Sequence, residues 1–204
     1  MATRTAYLDW TPVPTIAITL PLELPLPDGF ALDDLATWPL VEGLLEYVDG
    51  RLLYMPPSGD QQQDTAADVT TELGLWSRAH PDFVVATNEA GILFGQDVRG
   101  ADVALFRRAD VGAYTGGLRR ATPVLAVEVA GKDDSPQLQQ NKAAWYIRHG
   151  VEVVWVLVPR TRRVVVVTAD RSIELGLGDR LLAHPSLPGL EPLVDDLFRQ
   201  IRST

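Results

Sequence analysis

The 204-residue sequence contains no cysteine, which excludes disulfide bonds, thiolate metal sites and cysteine nucleophiles. Histidine is scarce as well, because His80, His149 and His184 are scattered without the spacing of a metal-binding motif. A metal site in this chain would therefore depend on carboxylate oxygens. Every hydrophobic run is far shorter than a membrane span, and the first ten residues lack the apolar core of a signal peptide. The sequence thus predicts a soluble, cytoplasmic protein that does not contact a membrane.

Lysine is the second scarce residue. The chain has 18 basic and 27 acidic side chains, for a net charge of -9, and its only lysines are Lys132 and Lys142. The negative balance opposes non-specific attraction to a phosphate backbone. The amine of a lysine has a pKa that its surroundings can tune, unlike the guanidinium of an arginine. Two lysines in an arginine-rich chain therefore suggest that the amine itself is needed.

Proline, by contrast, is concentrated near the N-terminus. Five prolines lie between residues 12 and 29, which is too dense for a regular helix and favours an extended arm or an edge strand. We expect residues 1–29 to form this arm, with a strand at Thr15–Leu20. Residues 30–204 are then expected to form one domain, which is the usual size for a single core.

The remaining hydrophobic pattern predicts an α/β fold with a mixed sheet flanked by helices. Asp49-Gly50-Arg51 separates two short apolar runs and predicts a hairpin of Leu45–Val48 and Leu52–Met55. Helices are expected at Leu32–Trp38, at Asp60–His80, from the capping residue Ser135 to Gly150, and near Val194–Ile201. Further strands are expected at Phe83–Thr87, Gly91–Phe94, Ala101–Phe106, Val124–Val129, Val151–Val158 and Val164–Thr168.

Two carboxylates interrupt otherwise apolar strands. Asp102 lies in the Ala101–Phe106 run and Glu128 in the Val124–Val129 run. Burying a carboxylate is costly unless it is paired or binds a cation. Adjacent strands could bring both acids to one edge of the sheet, where oxygen ligands suit Mg²⁺. In the alternative interpretation, Asp102 caps a turn or pairs with Arg99 or Arg107.

A lysine follows these acids in the sequence. Lys142 comes 14 residues after Glu128, about one turn into the predicted helix. From there its amine could orient or help to deprotonate a metal-bound water, as phosphodiester hydrolysis requires. Two alternatives remain at this stage: Lys142 could simply extend to water from the helix surface, or Lys132 could be the relevant amine.

Several segments of the chain, in order, resemble the Uma2 family (domain of unknown function 820). They are Leu45–Leu52, Ala101–Val103, Val127–Val129, the helix through Lys142 and Tyr146, Gly150–Pro159 and Leu187–Leu190. The resemblance covers about residues 30 to 198. It implies the restriction-endonuclease-like fold of the PD-(D/E)XK superfamily, which is a mixed β-sheet flanked by helices with an N-terminal hairpin.

The resemblance also implies roles for individual residues. Asp102 and Glu128, together with the Val129 carbonyl, would hold Mg²⁺ or Mn²⁺, and Lys142 would be the superfamily lysine, moved from the strand to the following helix. Glu46 would be an accessory acid, and its alternative role is a solvated residue of the hairpin.

The chain departs from the family pattern at three places. Ala101 replaces the usual proline, Gly131-Lys132 replaces a frequent Ser-Pro, and Gln61 or Gln62 stands where the long helix often opens with histidine. The resemblance implies that this histidine would contact a metal ligand or the substrate, and this chain lacks that histidine.

The leading hypothesis is a metal-dependent nuclease that hydrolyses DNA phosphodiester bonds. The main alternative is a binding or structural protein that has kept a nuclease fold without catalysis, and a third hypothesis is a hydrolase of small phosphoesters. A homodimer is expected from the fold type, because cutting a duplex often needs two sites.

Overall fold

The computed structural model describes residues 20–132 and 134–201, without the side chain of Glu89. The strand expected at Thr15–Leu20 therefore lies outside the described residues, except for Leu20. Within them, a strand of three residues, β1 (Leu22–Leu24), pairs antiparallel with the strand Arg51–Met55. The last part of the proline-rich segment thus adds a strand to the edge of the sheet.

Within the described residues, nine strands form one mixed sheet, which confirms the predicted fold class. The strands after β1 are β2 (Leu44–Val48), β3 (Arg51–Met55), β4 (Phe83–Phe94), β5 (Asp97–Arg107), β6 (Leu125–Val129), β7 (Val153–Val158), β8 (Arg163–Val167) and β9 (Ser172–Leu175). Their order is β1-β3-β2-β5-β6-β7-β8-β9, and β4 also pairs with β5. Among the paired strands of the described residues, β6 and β7 are the only parallel pair. Strand β9 was not predicted from the sequence.

The hairpin of β2 and β3 confirms the turn prediction. Asp49 and Gly50 have φ angles of 52° and 77°, as a two-residue turn between antiparallel strands requires. Leu44 to Val48 pair with Met55 to Arg51 without interruption. This register fixes Glu46 in the middle of β2, opposite Leu53.

The strands expected at Phe83–Thr87 and Gly91–Phe94 are one continuous strand, β4, with a bulge between them. The register with β5 shifts between Thr87 and Ala90, so that residues 88 and 89 lie opposite Asp102. Asn88 has a φ of 62°, which is a backbone conformation that asparagine tolerates better than most residues. The polar Thr-Asn-Glu sequence resembles a turn, and for that reason sequence reasoning split the strand.

The helices are α1 (Asp60–Ala79), α2 (Arg108–Val111), α3 (Pro136–Arg148) and α4 (Val194–Leu197). Two predicted helices are shorter than expected: the segment Leu32–Trp38 contains only a 3₁₀ turn at Leu35–Thr37, capped by Asp34, and the last helix ends at Leu197 instead of Ile201. No helix in the described part of the chain is long and apolar enough to cross a membrane.

The helices cover the two faces of the sheet, and each face has its own core. Helices α1 and α4 pack through Val69 and Leu197 on a cluster that includes Val127 and Val129 of β6. Helix α3 packs through Ala143 and Tyr146 on the other face, in a cluster with Ala126. Successive residues of β6 therefore face opposite helices, as the two-residue period of a strand requires. Glu128 follows this alternation and points to the side of α3.

Candidate active site

The candidate site lies where β2 and β6 meet along the same edge of β5. Strand β2 pairs with β5 at Val98, and β6 pairs with it at residues 103 to 105. Between these two pairings, side chains bind the backbone of Gly100. Its N–H donates to Glu46 Oε1 at 3.2 Å, and its carbonyl accepts from the Tyr146 hydroxyl at 3.2 Å. Polar groups are therefore required here to replace a missing strand partner.

Glu46 is buried in this gap, with 2% of its surface exposed. Its carboxylate lies 3.6 Å from Arg99 Nε and 3.5 Å from Lys142 Nζ. The alternative in which Glu46 is a solvated hairpin acid is therefore wrong. The structure instead places Glu46 with the lysine, as the accessory role would require.

Lys142 is the cation at the centre of the site. Its Nζ lies 2.6 Å from Glu128 Oε2, and only 16% of its side chain is exposed. It therefore does not extend to water. Its position is nearly two turns into α3, which begins at Pro136 after the Ser135 cap, rather than about one turn. Lys132 occupies an exposed turn after β6, whereas Lys142 contacts both Glu46 and Glu128.

The pKa values of Glu128 and of Lys142 are both raised, for different reasons. Burial raises the pKa of Glu128 to about 7, and the charges of Asp102 and Glu46 add to this, while Lys142 opposes it. For Lys142, burial alone would lower the pKa, but the carboxylates of Glu128 and Glu46 outweigh burial and raise it. Lys142 is therefore an ammonium ion at neutral pH. Glu128 shares this cation with Glu46, so one ammonium does not fully compensate two buried acids.

Asp102 reaches the site from β5. Its Oδ2 accepts a hydrogen bond from the Val129 N–H at 2.6 Å. Arg99 and Arg107, its alternative partners, form ion pairs with Glu46 and with Glu152 instead. The contact with Val129 joins Asp102 to the end of β6, directly after Glu128.

Asp102 also lines an open cleft between α1 and β4, with a volume of about 730 Å³. This volume is in the range of small-molecule and substrate sites. Among the described residues that line it, Asp102 is the only charged one, and the others are small apolar residues such as Ala66 and Ala67 or the polar residues Ser58, Gln62, Gln63, Thr70, Thr87 and Asn88. Asp102 thus faces the accessible side of the site, whereas Glu128 and Lys142 lie in its buried part.

Gln62 occupies the boundary between the cleft and β6. Its Nε2 donates to the Val129 carbonyl at 3.1 Å, and its Oε1 accepts from the Gly59 N–H at 3.1 Å. The sequence left open whether Gln61 or Gln62 replaces the family histidine, and the structure places Gln62 at the site. Sequence reasoning missed the participation of Tyr146 and Arg99. Tyr146 follows Lys142 by four residues, a spacing that puts both on one helix face.

The oxygen atoms of the site fit a divalent cation. Glu128 Oε1 is buried and has no hydrogen-bond partner among the described residues. Asp102 is joined to the next residue through the Val129 N–H, and the Val129 carbonyl accepts from Gln62. Among the described residues, no group of three or more histidine, aspartate or glutamate side chains could hold a metal ion. Two carboxylates and one carbonyl nevertheless suit Mg²⁺, which commonly retains several waters.

The fold is that of a restriction-endonuclease-like nuclease. A crystal structure of "a putative nuclease belonging to DUF820 from Anabaena variabilis ATCC 29413" superposes with a TM-score of 0.71 over 82% of this chain and 96% of that one, at 17% identity. The family Uma2, described as "Putative restriction endonuclease", matches residues 32–197. The chain therefore belongs to the Uma2 family, which confirms the resemblance found in the sequence. No curated protein matches the chain.

Proposed function

We propose that the protein is a metal-dependent nuclease that hydrolyses DNA phosphodiester bonds. Asp102, Glu128 and the Val129 carbonyl would hold Mg²⁺ or Mn²⁺, and Lys142 would position the attacking water. The observation that carries this proposal is the buried pair of Lys142 Nζ and Glu128 Oε2, which lie 2.6 Å apart. Asp102 of β5 contacts the end of β6 directly after Glu128, through the Val129 N–H. The family and the fold support the same class of reaction.

The charge balance of the site favours a cation. Glu46 and Glu128 lie beside Arg99 and Lys142, and Asp102 brings a third carboxylate to the end of β6, directly after Glu128. When bound, a divalent cation supplies a Lewis acid that lowers the pKa of a coordinated water and stabilises charge on the phosphoryl oxygens. Asp102 and Glu128 would bind that cation, and the closed core under α3 would exclude bulk water from the side of Glu128.

Lys142 would act as a hydrogen-bond donor. Because its pKa is raised, its ammonium keeps its proton at neutral pH and cannot serve as a general base. The sequence left two roles open for this amine, to orient the water or to help deprotonate it. With its proton retained, the amine would orient the water. An ammonium has three donors, which can orient a water or a phosphate oxygen.

Glu46 would position Lys142. It lies 3.5 Å from the ammonium and also contacts Arg99 and the Gly100 N–H. If Glu128 held a cation, its attraction for Lys142 would weaken, and Glu46 would keep the ammonium near the site. We therefore assign Glu46 an accessory role that acts through Lys142 rather than on the substrate.

DNA binding should depend on the metal. The chain has a net charge of -9, and none of the described residues that line the cleft beside Asp102 is basic. A phosphate would therefore meet net repulsion there, which a divalent cation held by the carboxylates would reduce. We expect the protein to be retained on DNA only when Mg²⁺ or Mn²⁺ is present.

The test is cleavage of plasmid and linear DNA with Mg²⁺ or Mn²⁺, using the wild type and Asp102→Asn, Glu128→Gln and Lys142→Met. Among these four proteins, we expect products only from the wild type. The matched control is Glu174→Gln, because Glu174 is an exposed acid on β9 paired with Arg163, and it should cleave like the wild type. Metal binding with hydrolysis of a small phosphodiester but not of DNA would favour the third hypothesis, and metal binding without hydrolysis would favour the inactive alternative.

A further inference from the structure

Gln62 connects the start of α1 to the end of β6 through both ends of its side-chain amide. The oxygen accepts from Gly59 and the nitrogen donates to Val129, each at 3.1 Å. Reversing the amide would place a donor against a donor and an acceptor against an acceptor, so these two bonds fix its orientation. Gly131 lies against the same amide, since a Cβ at this position would meet Gln62 Oε1 at 3.4 Å. The loop after β6 therefore packs directly on Gln62.

The Val129 backbone needs such a partner because its strand pairing has ended. Strand β6 pairs with β5 only at residues 125 to 127. At Val129, two residues further on, side chains replace the β5 backbone as hydrogen-bond partners. Asp102 accepts from the Val129 N–H, and Gln62 donates to the Val129 carbonyl. A carbonyl oxygen has two lone pairs. Gln62 donates to one of them, and a cation could be held by the other.

We propose that Gln62 is a positioning residue that orients the Val129 carbonyl and thereby sets the affinity of the site for a divalent cation. The inference rests on the proposed function, in which this carbonyl is a metal ligand. Groups that orient metal ligands typically change the metal affinity by about 10- to 100-fold when they are removed. Gln62 fulfils the geometric requirement for such a group, because a second bond to the Gly59 backbone fixes its amide.

The neighbouring residue offers a matched control. Gln63 Nε2 donates to the Ser58 carbonyl at 2.7 Å, so it is also a glutamine in the first turn of α1 that binds a loop carbonyl. Its contact does not involve β6. Replacing either glutamine by methionine keeps the length and the helix propensity of the side chain and removes the amide.

The experiment is a calorimetric Mn²⁺ titration of the wild type, Gln62→Met and Gln63→Met, with thermal unfolding of each in EDTA. We expect Gln62→Met to weaken Mn²⁺ binding by about 10- to 100-fold and Gln63→Met to leave it unchanged, at similar unfolding temperatures without metal. The NMR carbonyl resonance of Val129 should also shift in metal-free Gln62→Met, because one hydrogen bond to that oxygen is lost. Gln62→Asn, whose amide is too short to span both contacts, should reproduce the loss of affinity if the methionine variant fails to fold.

The outcomes separate this inference from the proposed function. Equal Mn²⁺ affinity of the wild type and Gln62→Met, or an equal loss in Gln63→Met, would overturn the role of Gln62 and leave the metal site intact. A wild type that binds no Mn²⁺ would overturn both the metal site and the role of Gln62.

Discussion

At the scale of single residues, the site depends on the Lys142 ammonium, which contacts two buried carboxylates, Glu46 and Glu128. Replacing Lys142 by methionine keeps the approximate volume but, among the described residues, leaves Glu46 paired with Arg99 and removes the ion-pair partner of Glu128. Removing one partner of a buried ion pair typically costs about 3–5 kcal/mol. We expect Lys142→Met to lower the free energy of unfolding by this amount at pH 8, as measured by urea denaturation.

The double variant Lys142→Met/Glu128→Gln provides the control for this prediction. Because the glutamine carries no charge, the double variant should recover part of the lost stability. The single variant should also be less affected at pH 6, where Glu128 can take up a proton. A loss below about 1 kcal/mol, the value typical of surface pairs, would show that the pair is not buried as described.

Glu128 should also make stability depend on pH. Burial raises its pKa from 4.5 to about 7, so the folded state holds this proton more tightly than the unfolded state. Its contribution to stability is then fully present below pH 4.5 and is lost as the pH rises to about 7, on the order of 3 kcal/mol in total. In paired urea titrations, the stability of the wild type relative to Glu128→Gln should fall over this pH range. A constant or rising difference would contradict the raised pKa.

The sequence indicated which residues carry charge in the site, but not how those charges are paired. Asp102 and Glu128 stood out because each interrupts an apolar strand, and the scarcity of lysine drew attention to Lys142. The pairing of Glu46 with Lys142 and Arg99 joins β2, α3 and β5. Such contacts depend on how distant strands meet, and no local pattern reports that. For this reason the solvated interpretation of Glu46 could not be excluded from the sequence.

At the scale of elements, α3 presents Lys142 to the sheet, and its first turn depends on Ser135. The Ser135 side chain accepts from the Leu138 N–H at 3.1 Å, and Pro136 begins the helix. Loss of such a cap costs about 1 kcal/mol. We expect Ser135→Ala to lower the free energy of unfolding by about this amount, and Ser135→Asp, which can also cap, to retain it. Equal stability of the wild type and the alanine variant would contradict the capping role.

Elements with a clear local signal were predicted well. The hairpin has its Asp-Gly turn, α1 has an apolar stripe that ends before Pro81, and α3 has a cap, a proline and a terminal glycine. The failures have physical causes as well. Strand β4 was divided because its bulge at Asn88 has polar residues typical of a turn. Strand β9 was missed because its four residues are stable only through pairing with β8.

At the scale of the whole molecule, we propose an arm of residues 1–29 on a single domain of residues 30–204. Strand β1 covers the edge of β3 but lies outside the candidate site. A chain that begins at residue 30 should therefore lose stability, since the β3 edge becomes exposed, and should keep the Mn²⁺ affinity of the full chain. Calorimetry and thermal unfolding of both chains test this. Loss of folding would instead make β1 an integral part of the domain.

A homodimer, which would bring two sites to a duplex, also remains a proposal. Sedimentation of the full chain with and without DNA measures it directly. The proposed cleavage does not require a dimer, because one site can cut one strand.

The central claim is that one divalent cation binds at Asp102, Glu128 and the Val129 carbonyl. The most direct test is a calorimetric Mn²⁺ titration of the wild type and of Glu128→Ala, with Glu174→Ala as the control for loss of an acid elsewhere. We predict one saturable site per chain in the wild type and in the control, and none in Glu128→Ala. A wild type without saturable binding, or a Glu128→Ala variant with unchanged affinity, would contradict the claim.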